Sequence, residues 1–134
     1  MIPSLNDVLL TELTVEEQPS KTYRMHIEKE YIGGTCDDLE SIKQAVFKII
    51  NTARYRHMIY SWNYGIELAD LFGQRIGYVV PEIQRRITEA LSQDDRVLAI
   101  DNFEFDTSKR HEVVCTFVVH TAYGSFESER AVNI

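Results

Sequence analysis

Three carboxylates sit close to a run of aromatic side chains midway along the sequence. Glu67 follows Tyr60-Ser61-Trp62-Asn63-Tyr64, and Asp70 and Glu82 come soon after. Rings able to stack on sugars, beside two carboxyl groups of which one has a raised pKa, are the equipment of a glycoside hydrolase. With 21 acidic residues in 134, however, some pair of acids always falls near some ring, so the grouping does not assign that chemistry. Trp and Tyr are also enriched where proteins bury surface against each other. Trp62 and Tyr64, with Glu67 beside them, therefore read as core or interface residues.

Other chemistries find less support. His26, His57, His111 and His120 are scattered. His111 and Cys115 would share one face of a strand, but two ligands do not make a metal site, and neither metal nor cofactor is expected. Cys115 lies between Val113 and Phe117 in a strand pattern and reads as a buried, inert thiol. Gly33-Gly34 lacks the spacing of a phosphate loop, and Asp37-Asp38 just beyond would repel an anion. Ser61 and Ser125 lie outside any Gly-x-Ser-x-Gly setting, although Ser-His-Asp sites are defined by geometry and leave no obligatory mark in sequence.

The charge balance narrows the partners. Lys and Arg number 14 against 21 Asp and Glu, a formal net charge of −7. A nucleic-acid binder that neutralises phosphates carries the opposite excess. A hydrophobic share of 44% with 26% charged residues is a globular mixture, and 134 residues suit one domain. No apolar run approaches the roughly 18 residues of a membrane span. The first twenty residues lack the basic start of a secretory signal, since the first basic residue is Lys21. Cys36 and Cys115 alone do not make a disulfide scaffold, so the cytosol is the expected compartment. The charge is also uneven: −6 over residues 1–40, +2 over 41–99 and −3 over 100–134.

The elements that must position these residues follow from periodicity. Residues 1–20 read as an N-terminal arm, punctuated by Pro3 and Pro19, with a short helix or frayed segment at Val8–Leu13; residues 21–134 form the domain. Alternation of Tyr23, Met25 and Ile27 with Arg24, His26 and Glu28 predicts an antiparallel pair turning at Glu28–Glu30. Asp37-Asp38 offer the cap of a helix in which Leu39, Ile42, Val46, Ile49 and Ile50 recur at helical spacing, ending near Asn51. Met58-Ile59-Tyr60 reads as a short extended piece, and Glu67–Phe72 as a short helix bracketed by Gly65 and Gly73. A further helix is expected with Pro81 in its first turn, a stripe of Val80, Ile83, Ile87, Ala90 and Leu91, and Glu82 four residues before Arg86.

Three strands end the sequence: Val97–Asp106, Glu112–Thr121 and about Ser125–Asn133. The middle one carries Val113, Cys115, Phe117 and Val119 on one side and Val114, Thr116, Val118 and His120 on the other. It is expected to be central and covered on both faces. The apolar phase of the first slips at Asp101-Asn102, which predicts a bulge. The order ββα(α)αβββ is an α+β fold, a single domain with helices packed on a mostly antiparallel sheet.

The stretch Ile59-Tyr60-Ser61-Trp62-Asn63-Tyr64-Gly65-Ile66-Glu67-Leu68, with Asp70-Leu71-Phe72-Gly73 after it, resembles the PBSX-type prophage tail proteins. So do Ile87-Thr88-Glu89-Ala90-Leu91, Asp94-Asp95-Arg96-Val97 and Asp101-Asn102-Phe103. These proteins are grouped with the baseplate wedge proteins of contractile phage tails and R-type bacteriocins, a superfamily named lysozyme-like by analogy. The resemblance spans about residues 21–134. It implies a structural wedge subunit that links the baseplate to the tube and the first sheath ring. The implied partners are a larger baseplate wedge protein bundling with the helices, the tail sheath protein at the C-terminal sheet, and tail tube or hub proteins. They would meet in a six-fold assembly, built in the bacterial cytoplasm and residing in a virion tail or a phage-like particle.

The wider family carries Glu-Pro-Arg at the turn into the sheet. Here Asp94, Asp95 and Arg96 stand there, keeping the acid and the arginine without the proline, and the resemblance implies that they form ion pairs. It also implies that the last strand, with Glu127, Glu129, Arg130, Val132 and Ile134, meets the sheath by strand addition. Glu127 and Glu129 would discourage indiscriminate edge pairing. Two other functions compete. One is a tail-associated peptidoglycan hydrolase using Glu67 with Asp70 or Glu82; the other is a free cytosolic adaptor of the same fold.

Overall fold

The computed structural model describes residues 19–134, so the expected arm and its short helix lie outside the described residues but for Pro19 and Ser20. Alternation and turn chemistry build the first element as expected. Thr22–His26 (β1) and Tyr31–Cys36 (β2) pair antiparallel, with His26 opposite Tyr31 and Glu30 in the turn at φ 54°. Asp37 caps the helix Asp38–Ile50 (α1), its carboxylate accepting the Asp38 N–H at 2.7 Å. Gln44 of α1 holds the hairpin down: it accepts from the Met25 N–H and donates to the Tyr23 carbonyl, each at 2.8 Å.

The second helix, Ile76–Leu91 (α2), starts earlier than expected, so Pro81 stands in its second turn and not its first. The cause is burial. Val79 is fully buried and leads the stripe of Ile83, Ile87, Ala90 and Leu91, whereas Val80 is only half-buried. Burying Val79 draws another turn into the helix. The proline forgoes one backbone bond, to the carbonyl of Gly77, which is exposed to solvent. Between the helices Met58-Ile59-Tyr60 forms turns and not the extended piece expected, its side chains exposed at the tip of a loop closed between Ala53 and Ile66. A 3₁₀ turn at Ala69–Leu71 stands in place of the expected short helix and puts Leu71 in the core.

Val97–Asp106 (β3), Glu112–Thr121 (β4) and Gly124–Asn133 (β5) form an antiparallel sheet in the order β3-β4-β5, separate from the β1-β2 pair. The fold is α+β. Val113, Cys115, Phe117 and Val119 of β4 are fully buried in one core with Ile42, Val46, Ile83, Ile87 and Leu91 of the helices. The opposite face, Val114, Thr116, Val118 and His120, is only half-buried, which corrects the expectation of cover on both sides. β-branched residues on that face satisfy strand propensity and need no second layer. The predicted bulge is present: register breaks between Asp101 and Glu104, with Asn102 at φ 52°. Burial pushes the Cys115 thiol up to about 12, the inert group expected. His111 lies before β4 at φ 63° and is exposed, so it shares no site with Cys115.

Candidate functional site

The residues singled out in the sequence fall into three places. The first is the turn from α2 into β3. Asp94 closes it, accepting from the backbone N–H of Arg96 at 3.0 Å, from its Nε at 2.9 Å and from its Nη2 at 2.7 Å. The Asp94 carbonyl also accepts the Val97 N–H at 3.0 Å. The Arg96 guanidinium holds the Asp94 carboxyl below the usual aspartate range. These bonds fix the reversal without a proline. Asp95 is exposed between the two. Asp94, Arg96 and Tyr64 line a common cavity of about 340 Å³ with Thr22, Gln44 and Lys48.

The second place is the loop of residues 53–66, which leaves and returns to one point. Its neck is closed by Arg54 N–H to the Ile66 carbonyl at 3.1 Å and Ile66 N–H to the Thr52 carbonyl at 2.9 Å. Gly65 makes the closure possible: its φ is +90°, and a Cβ there would lie 2.6 Å from the Thr52 carbonyl oxygen. Arg54 then clamps the loop, donating from Nε to the Trp62 carbonyl at 2.7 Å and from Nη1 to Glu89 of α2 at 3.1 Å. Its guanidinium sits 4.8 Å from the Tyr55 ring centroid. Tyr60 and Tyr64 stack at 4.4 Å, with Tyr64 half-buried. Trp62 is 79% exposed and Met58 and Ile59 more so. Most of these rings are therefore surface, not core.

The acids near this loop do not form a catalytic pair. Arg86 gathers them, donating from Nε to Glu82 at 3.1 Å, from Nη2 to Asp70 at 2.9 Å and from Nη1 to the Glu67 carbonyl at 2.8 Å. Guanidinium bonds, from Arg86 on Asp70 and chiefly from Arg85 on Glu82, lower both carboxyl pKa values. A general acid needs the reverse. The Glu67 carboxylate stands at the surface. The expected Glu82–Arg86 pair is present, and Arg85 links Glu82 to Glu89.

The third place is β5. Its register with β4 is unbroken from Thr121 opposite Gly124 to Glu112 opposite Asn133. The Ile134 N–H donates to the His111 carbonyl at 2.9 Å. Even-numbered residues of β5 thus turn their amides toward β4, and odd-numbered ones turn theirs to the free edge. Val132 and Ile134 are buried in the core, which corrects their selection as side chains a partner would meet. Arg130 faces the helices and donates to Asn51 at 2.8 Å. Glu127 and Glu129 are exposed on the outer face.

One arrangement escaped the sequence. His120 Nε2 lies 2.8 Å from Asp101 of β3, and its Nδ1 lies 2.7 Å from the Ser125 hydroxyl of β5. The partners are those of a Ser-His-Asp site, but they lie on an open sheet face. There the backbone N–H groups run within the sheet plane, so none converges above Ser125 as an oxyanion hole. The group is a polar rung across three strands. The hairpin pairs Thr121 with Gly124 and so sets Ser125 opposite His120.

Residues 20–124 match a family model described as contractile injection system sheath initiator. The chain is also similar to the phage-like element PBSX protein XkdS of Bacillus subtilis (strain 168), with 34% identity over 134 residues, spanning 95% of this chain and 94% of that protein.

Proposed function

We infer the function from a membership that is plain: the chain belongs to the contractile injection system sheath initiator family. It is a structural, sheath-associated protein of a phage-type contractile tail. Within that tail it serves as a baseplate wedge subunit, joining baseplate and tube to the first sheath ring, and it does so without bond chemistry. Residues 21–134 are the docking domain. Sheath subunits meet the β3-β4-β5 sheet. A larger wedge protein covers the helices and the aromatic loop, tube or hub proteins complete the contacts, and six copies surround the axis.

The observation that carries this reading is the sheet itself: among the described residues, β3 and β5 each have a partner on one side only. Exposed strand edges take up further strands through backbone hydrogen bonds. Deleting residues 127–134 would be a poor test, since it also removes Val132 and Ile134 from the core. Ala131→Pro is better. Residue 131 is exposed and turns its amide to the free edge, so the change removes an edge donor and spares the β4 ladder. Tails assembled with this variant are expected to show bare tubes on baseplates by electron microscopy, with the purified variant still folded by circular dichroism. Normally sheathed tails would overturn the reading. Purified protein is expected to leave peptidoglycan intact; clearing that is lost in Glu67→Gln would restore the hydrolase instead.

A further inference from the structure

We propose that the incoming strand is received on the edge of β5 and not of β3, and that it is an extended segment of a different chain carrying Lys or Arg at alternate positions. This rests on the reading of the sheet as the sheath-docking element. The two edges differ in regularity. β3 breaks register twice, between Val97 and Ala99 and between Asp101 and Glu104, with Asn102 in the left-handed region. Bulges of this kind interrupt the even spacing of free amides and carbonyls and protect an edge from pairing. β5 runs ten residues without a break, and its outer side has no partner among the described residues.

Charge then selects the occupant. The residues whose amides face the free edge of β5 are the ones whose side chains stand on the outer face, among them Glu127 and Glu129. A strand added there sets its own outward side chains about 5 Å from theirs. Neither glutamate has an ion-pair partner among the described residues, so basic side chains are favoured at two positions separated by one residue. Inward positions fall beside Phe126, Ser128, Arg130 and Val132, which favours apolar types at the two ends and uncharged ones between the basic residues.

Two nearer occupants have the wrong sign. Residues 1–18 carry Asp7, Glu12, Glu16 and Glu17 and no Lys or Arg. A second copy would bring either its own Glu127 and Glu129 or the Asp101, Glu104 and Asp106 of β3. Like charges directly across a strand pair are destabilising. The segment therefore comes from another polypeptide.

Purified full-length protein and two labelled octapeptides test this. Both alternate Val with a charged residue, Lys in one and Glu in the other. By fluorescence anisotropy at low salt, the Lys peptide is expected to bind at least about tenfold more tightly, in keeping with two cross-strand pairs changing sign. Glu127→Lys with Glu129→Lys is expected to reverse that order and give unsheathed tails. Glu104→Lys on β3 is expected to leave both unchanged, and thermal melts check that each variant folds. Sheathed tails from the Glu127→Lys/Glu129→Lys variant, while Ala131→Pro still blocks docking, would overturn the basic segment and leave the edge reading standing. Loss of sheath in Glu104→Lys with none in Glu127→Lys/Glu129→Lys would move the site to β3 and overturn the proposal. Sheathed tails from both Ala131→Pro and the double variant would remove edge docking itself.

Discussion

The loop of residues 53–66 and the free edge of β5 are both open surface, built on opposite principles. The loop shows Met58, Ile59 and Trp62 beside Arg54 and Arg56, and it contains no acid. Its shape depends on one glycine and one arginine clamp. The β5 edge shows Glu127 and Glu129 over a row of backbone groups, and its shape depends on ten consecutive strand pairs. Covering the loop removes apolar area from water, at roughly 25 cal/mol per Å², and is insensitive to salt. Pairing at the edge gains directional hydrogen bonds, is steered by charge and weakens as salt screens it. On the proposed reading, a connector between a baseplate and a sheath has use for one surface of each kind.

The comparison is sharpest at the loop neck. Gly65→Ala should cost about 3 kcal/mol in denaturant unfolding, since the new Cβ meets the Thr52 carbonyl and the residue must hold a positive φ. A loss under about 0.5 kcal/mol would mean that the neck does not set the loop. Arg54→Ala should cost about 2 kcal/mol, because it strips charged hydrogen bonds from a part-buried clamp. It should also shift the emission of Trp62, the chain's one tryptophan. Ala131→Pro, by contrast, should stay within about 1 kcal/mol of the parent, because no ladder bond is lost.

Asp94→Asn should cost about 1–2 kcal/mol at neutral pH. Its sign with pH is fixed by the lowered carboxyl pKa in the fold. The stabilisation is complete above the ordinary aspartate value of 3.8 and is lost as pH falls below it through the folded value, so parent and variant melts converge in acid. Trp62→Ser is expected to change stability least, within about 0.5 kcal/mol. Its effect should appear only when a partner covers the loop, as a loss of baseplate incorporation with unaltered peptide binding at β5.

Much of the frame was legible because it is local. The slip of apolar phase at Asp101-Asn102 announced the bulge, since a strand has a strict period of two. The flanks of Cys115 announced an inert thiol, and four-residue spacing announced the Glu82–Arg86 pair. The start of α2 was not legible. Pro81 locally marks a first turn, while the burial of Val79 that draws an earlier turn into the helix is a tertiary gain. Met58-Ile59-Tyr60 has strand-like residue types, but a strand exists only where another can pair with it. Val114, Thr116 and Val118 look alike in sequence whether chosen for burial or for strand propensity, so the uncovered face was misread.

At the candidate site the same division holds. The sign of the β5 edge follows from Glu127 and Glu129 alone, and the kinship with PBSX-type prophage tail proteins, though not the sheath initiator family itself, from short runs of residues. That Val132 and Ile134 turn into the core, that Arg86 captures both Asp70 and Glu82, and that Asp101, His120 and Ser125 meet on one face required the folded chain. Periodicity and charge reside in neighbouring residues and survive in the unfolded polymer. Burial, ion pairing and the openness of an edge are relations between residues far apart along it, and those come into being only when the elements pack.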